Sequence, residues 1–164
     1  MSILILGIGF LFINDFTYSP LKDSDFKKLF SDYNNNANKK CSIDFLGWSS
    51  EGAVFDLYVY EIKKGSVDTT YPNFKNGWKN INDLDDVVFS KWKKCPMDSL
   101  SSSRYNFTLT TEDFSKKECS QSFNNELNNP NSYYSYVYVS ELEQYFFMYS
   151  PNKERLYYVR RRGF

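Results

Sequence analysis

The stretch from Tyr133 to Phe164 constrains the fold more than any other part of the chain. Tyr145-Phe146-Phe147-Met148-Tyr149 is an aromatic run of the kind that fits a pleated surface. Ser150-Pro151-Asn152-Lys153-Glu154 follows with turn chemistry: Pro presets φ, and Asn bonds its own backbone. Leu156-Tyr157-Tyr158-Val159 then resumes the strand pattern. These segments predict antiparallel strands over Tyr133–Ser140, Gln144–Ser150 and Arg155–Arg162, with almost nothing between them. In the first, Tyr134, Tyr136 and Tyr138 fall on one face, and Ser135, Val137 and Val139 on the other. A buried face holds a strand's register, and the valines suit that role. The tyrosine stripe is then either covered by a helix, with its hydroxyls at the edge, or displayed as a binding face, because tyrosine joins rigid contact area to a polar tip.

Further strands are expected upstream. Ile43–Trp48 and Ala53–Lys63 read as a hairpin around Ser49-Ser50-Glu51-Gly52. Within it Phe55, Leu57 and Val59 alternate with Asp56, Tyr58 and Tyr60, as in a half-buried antiparallel strand. Tyr105, Phe107 and Leu109 alternate in the same way. Asp83 to Lys94 fits helix or strand; its β-branched and aromatic residues tilt it to strand. Two helices are expected. One starts at Ser24 and carries the stripe Phe26, Leu29, Phe30, Tyr33. The other opens at Thr111 and carries Cys119, Phe123 and Leu127. Asn34 to Lys40 reads as a polar loop. Gly65 to Asn82 is a long irregular connection, either functional or pinned to the core by Phe74 and Trp78. The fold class is therefore α+β: a twisted antiparallel sheet of about five to seven strands with two helices packed on one face.

At 164 residues the chain suits one such domain, over 17–164. Residues 1–16 stand apart as an apolar N-terminal segment. Its core, Ile3 to Ile13, is an unbroken apolar run of eleven residues. A spanning helix needs about 20 apolar residues, whereas a signal peptide's apolar region needs about 7–15. The run is therefore read as signal-like or anchor-like, which makes membrane contact through residues 3–13 an expectation and the address extracytoplasmic. A buried first strand is the alternative.

Chemistry is bounded chiefly by what is missing. The chain has no histidine, which removes Ser-His-Asp and Cys-His catalysis and His-ligated zinc. Nucleotide-binding loops, nucleophile elbows and EF-hand loops are also lacking, so no cofactor and no metal are expected. Twenty basic residues balance twenty acidic ones, which argues against nucleic acid as a partner. Cys41, Cys95 and Cys119 allow one intramolecular bridge, and their spacings suggest no zinc knuckle. Cys119 lies on an apolar helix stripe, so Cys41–Cys95 is the expected bridge in an exported protein.

Three function classes remain. The first is a non-catalytic domain that binds another protein, for instance an immunity or inhibitor protein. Its candidate contacts are Tyr134, Tyr136, Tyr138 and Trp78, with Arg160 and Arg162, which share a strand face. The second is a carboxylate-based hydrolase acting on glycan. It requires acids from Asp44, Asp56, Asp85, Asp86, Glu141 and Glu143 to converge, with Asp23/Asp25 a further pair. The third is a structural envelope component.

Overall fold

The computed structural model describes residues 19–47, 52–63, 67–79, 81, 85–105 and 118–163. The apolar run 3–13, the strand expected at 106–109 and the start of the helix at 111–117 lie outside the described residues. Seven strands make one antiparallel sheet: β1 (Ala37–Asp44), β2 (Val54–Ile62), β3 (Val88–Phe89), β4 (Lys93–Lys94), β5 (Tyr133–Ser140), β6 (Glu143–Ser150) and β7 (Arg155–Arg162). Their order across the sheet is β1-β2-β7-β6-β5-β3, with β4 further along the same side of β5. Among the described residues three short helices accompany it: α1 (Asp23–Leu29), α2 (Ser99–Arg104) and α3 (Phe123–Leu127). The α+β expectation holds.

The three C-terminal strands fall where the residue pattern puts them. A 3-10 turn at Pro151–Lys153 joins β6 to β7, and Glu154 closes it at φ 51°. Asp83–Lys94 resolves, where described, into the two short strands β3 and β4. The hairpin strand before β2 starts earlier than expected, at Ala37 rather than Ile43. Asn38, Lys39 and Lys40 look like a loop because they are polar, yet Asn38 and Lys39 pair with Glu61 and Tyr60 of β2, and Lys40 falls at a shift in the register. β1 is an outer strand with none of its residues buried, and charge on such an edge blocks unwanted pairing.

Both faces of the sheet are covered. Eight of nine residues of β2 and seven of eight of β6 are buried. An antiparallel sheet usually leaves one face to water, but here each central strand carries large apolar side chains in both directions. On one face Tyr58, Tyr60, Tyr145, Phe147, Tyr149 and Tyr158 pack with Phe26, Leu29 and Phe30 of the α1 region and with Phe74, Trp78 and Trp92. On the other, Leu57, Val59, Phe146, Met148, Tyr157 and Val159 pack with Tyr105 and with Phe123 and Leu127 of α3. The helices are thus divided between the faces, not gathered on one as the sequence suggested. Rings on both sides of β6 and β7 need cover, and each fully buried one contributes about 2–3 kcal/mol.

The expected Cys41–Cys95 bridge is not formed. Cys41 is bonded to Cys119, and Cys95 is free and buried. Cys41 faces the α3 side of the sheet, beside Ile43, so the cysteine next to α3 is its neighbour. Cys95 sits in the same apolar cluster, where burial pushes its thiol up to about 12.

Candidate functional site

The tyrosine stripe is covered. Tyr134 and Tyr136 are buried and Tyr138 is half-buried. The cover is α2, a helix that the sequence reading missed. Asp98 caps it, its Oδ1 accepting from Ser101 N at 2.7 Å. The Tyr134 hydroxyl donates to Asp98 Oδ2 at 2.9 Å. The Tyr136 ring lies 5.1 Å from that of Tyr105, and the Arg104 guanidinium lies 5.4 Å above Tyr138. Lys93 and the Ser101 amide pull the Asp98 carboxyl well below its ordinary range against the opposing effect of burial. These tyrosines hold a layer together and offer little outward surface.

Trp78 is fully buried, so the long connection is pinned to the core as its bulky rings suggest. Trp78 and Ile81 exchange backbone bonds of 3.0 and 2.8 Å across a tight turn. Lys79, inside that turn, takes φ 54°, a region few side-chain-bearing residues occupy. Its ammonium is 2.8 Å from Asp25 Oδ2 and 3.0 Å from the Pro20 carbonyl. It also lies 5.5 Å from the Trp78 ring centre and 5.7 Å from that of Tyr158. Lys28 Nζ reaches the Gly77 carbonyl at 2.8 Å. The connection is stapled to α1 and to the segment before it.

Arg160 and Arg162 share a face, as the strand period requires, but they differ in role. Arg160 is buried and paired with Asp56 across β2 and β7. Arg162 is half-buried, 3.9 Å from Glu143. Of Asp44, Asp56, Asp85, Asp86, Glu141 and Glu143 only Asp56 is buried; Asp25, of the further pair, is buried elsewhere. Burial pushes the Asp56 carboxyl up, and Arg160 partly pulls it back. The Tyr58 hydroxyl donates to Asp56 at 3.3 Å, and burial pushes that hydroxyl up to about 12.

Of the other acids, Asp44 alone stands beside Asp56 and pushes its carboxyl up. Asp44, its partner in register, is exposed and accepts from Leu46 N and Gly47 N at 3.0 and 2.9 Å. Asp85, Asp86 and Glu141 are exposed, and Glu143 accepts from the Tyr145 hydroxyl. Asp23 accepts from Tyr33, and Asp25 is held by Lys79. Among the described residues no group of acids and cysteines is arranged to hold a metal ion, and no helix is long and apolar enough to cross a membrane.

Among the described residues, the large apolar side chains left exposed are Leu46, Val88, Phe89, Leu100 and Leu142. Val88, Phe89 and Leu142 are 40, 38 and 58 % exposed. Val88 pairs with Tyr138, and Leu142 lies in the turn from β5 to β6 just beyond. The residue pattern of Val87-Val88-Phe89 gave the strand; its place at the sheet's edge depends on pairing with β5, which sequence alone does not reveal. A scan of protein-family models and searches of curated proteins and solved structures find nothing that matches this chain.

Proposed function

We propose that this chain is a non-catalytic domain that binds another protein and works outside the cytoplasm. One observation carries the first half: Val88, Phe89, Leu100 and Leu142 keep large apolar side chains exposed around a sheet whose two faces are otherwise filled. Exposed apolar area on a folded domain is a common means of contact with another protein. The acids that a hydrolase would use are separated or already engaged, and Asp56 is tied to Arg160. Obstructing another protein, as an inhibitor or immunity protein does, needs surface and not turnover.

The Cys41–Cys119 bond supports the second half, because such bonds persist mainly in oxidising compartments. The apolar run 3–13 is consistent with that address. The test is purification of the tagged full chain from its source cell without reductant. A stoichiometric protein partner is expected; recovery of the chain alone, at native abundance and after mild cross-linking, sinks the reading.

A further inference from the structure

The Lys79 ammonium lies in a site built from two oxygens and two rings. Asp25 Oδ2 and the Pro20 carbonyl accept from Nζ at 2.8 and 3.0 Å. Nζ stands over the rings of Trp78 and Tyr158, 5.5 and 5.7 Å from their centres, and the electron-rich face of such a ring attracts a cation. Each wall is held by contacts that do not involve Lys79. Lys22 N donates to Asp25 Oδ2 at 2.9 Å. Ser19 N and Leu21 N, on either side of Pro20, donate to the hydroxyls of Tyr58 and Tyr60 at 3.1 and 2.7 Å. Tyr158 stacks on Tyr58 and Phe147, and Trp78 packs at a steep angle against Tyr145 and Phe147. Asp25, Trp78 and Tyr158 are buried, while the lysine side chain keeps 14 % of its surface exposed, so the site opens to solvent. Walls that stand without their occupant bind at little cost in ordering.

The acceptors identify the class of ligand. Two oxygens call for N–H donors, and the carboxylate and the rings call for positive charge. A quaternary ammonium has no N–H and leaves both oxygens unmet. Hard metal ions take about six or more oxygen ligands, far beyond the two that meet Lys79. Burial, Arg160 and Lys22 disfavour a positive charge here, and Asp25 favours it. Asp25 is therefore the anchor of the site. We propose that Pro20, Asp25, Trp78 and Tyr158 form a receptor for a primary alkylammonium ion, which Lys79 fills from within and which a free ion of the same chemistry fills when that side chain is removed. This goes beyond the protein-binding reading above and does not depend on it.

The test is Lys79→Gly in the full chain, followed by urea denaturation with added salts. Lys79 takes φ 54°, which glycine adopts freely, so the substitution removes the ammonium and its stem without straining the turn. Asp25 then stays buried without its cation, and the folding equilibrium should fall about a hundredfold or more. n-Butylammonium chloride, which supplies the missing stem and nitrogen, should restore it saturably; at about ten times its dissociation constant the gain is about tenfold. Tetramethylammonium chloride at the same ionic strength should restore nothing. Butylammonium should likewise leave unchanged both the unaltered protein and Lys79→Gly combined with Asp25→Asn. No gain with butylammonium, an equal gain with both salts, or the same gain in the variant that lacks the Asp25 carboxylate overturns the site. If Lys79→Gly does not fold alone, its refolding yield in the two salts is compared instead. A higher yield in butylammonium supports the receptor, and equal yields, zero included, overturn it.

Discussion

Arg160 donates from both Nε and an Nη to the same oxygen of Asp56, at 3.1 and 2.7 Å, with both side chains buried. The pair bridges adjacent strands β2 and β7 within a face built mostly from rings. Taking two charges out of water is costly, so the pair's net contribution to stability is small; leaving either charge alone is expensive. Arg160→Met should therefore destabilise by about 3–5 kcal/mol, while Arg160→Met combined with Asp56→Leu should recover most of that loss. Urea denaturation of the two single variants and the double variant checks this. Additive losses in the double variant would show that the pair is not coupled.

The disulfide separates the three cysteines sharply. In unfolded, unreduced protein only Cys95 is available to alkylation, so one adduct is expected, rising to three after reduction. The bond spans a sequence separation of 78, and closing a loop of that size in the unfolded chain is worth about 4 kcal/mol in the chain-entropy account. Cys119→Ser should lower the melting temperature far more than Cys95→Ala, whose cost is limited to one small buried side chain. A peptide map with Cys95 in the bridge would reverse both expectations.

The sheet was legible because its strands announce themselves twice, by aromatic and β-branched content and by punctuation such as Ser150-Pro151-Asn152. Trp78 was legible as a core residue from its size alone. Three features were not. Ser99–Arg104 shows no apolar period, because only Ser101 of this helix is buried; its signal is the cap at Asp98. Asn38-Lys39-Lys40 has the composition of a loop and the structure of an edge strand, since an outer strand has no need of apolar residues. The Cys119 bond required knowing that β1 and the approach to α3 share a face, a long-range fact absent from local pattern. Asp56 could have been singled out by its position alone: an acid between Phe55 and Leu57, on the face that Tyr58 and Tyr60 fill, needs a partner.

Buried tyrosines set the alkaline limit. Burial raises the hydroxyls of Tyr58, Tyr60, Tyr105, Tyr145 and Tyr158 above their ordinary value, Tyr58 to about 12. A group whose folded value is raised contributes stability that is complete below the unfolded value, about 10, and lost as pH climbs through the folded one. For Tyr58 the loss amounts to about 3 kcal/mol between pH 10 and 12. Lys79 acts in the opposite sense: burial lowers its ammonium, so its contribution improves as pH rises towards the ordinary lysine value. One lysine is outweighed by several tyrosines. Ionisation followed near 295 nm should therefore coincide with loss of the near-ultraviolet dichroism, instead of preceding it, and Tyr58→Phe should flatten the decline above pH 10. Smooth titration of all fourteen tyrosines near pH 10 in a folded protein would contradict this.

Glu126 sets the acid limit. Burial alone would raise its carboxyl, but Lys153, Ser132, Ser150 and Asn129 together pull it down to about 2. The bonds from Ser132 Oγ, Lys153 Nζ and Asn129 Nδ2 measure 2.6, 2.8 and 3.0 Å. They tie α3 to the chain entering β5 and to the β6–β7 turn, so the carboxylate joins three segments on one side of the sheet. A group whose folded value is depressed contributes stability that is complete above the unfolded value and lost as pH falls through the folded one. The unaltered protein should therefore lose roughly 3 kcal/mol between pH 5 and 2 on account of this residue. Glu126→Gln keeps the size and one acceptor oxygen but turns the other into a donor and removes the charge. It should be less stable at pH 7 and should lose correspondingly less on acidification, so that the two denaturation curves converge towards pH 2. Parallel curves, offset by the same amount at pH 7 and pH 2.5, would mean that Glu126 contributes by packing and not as a carboxylate.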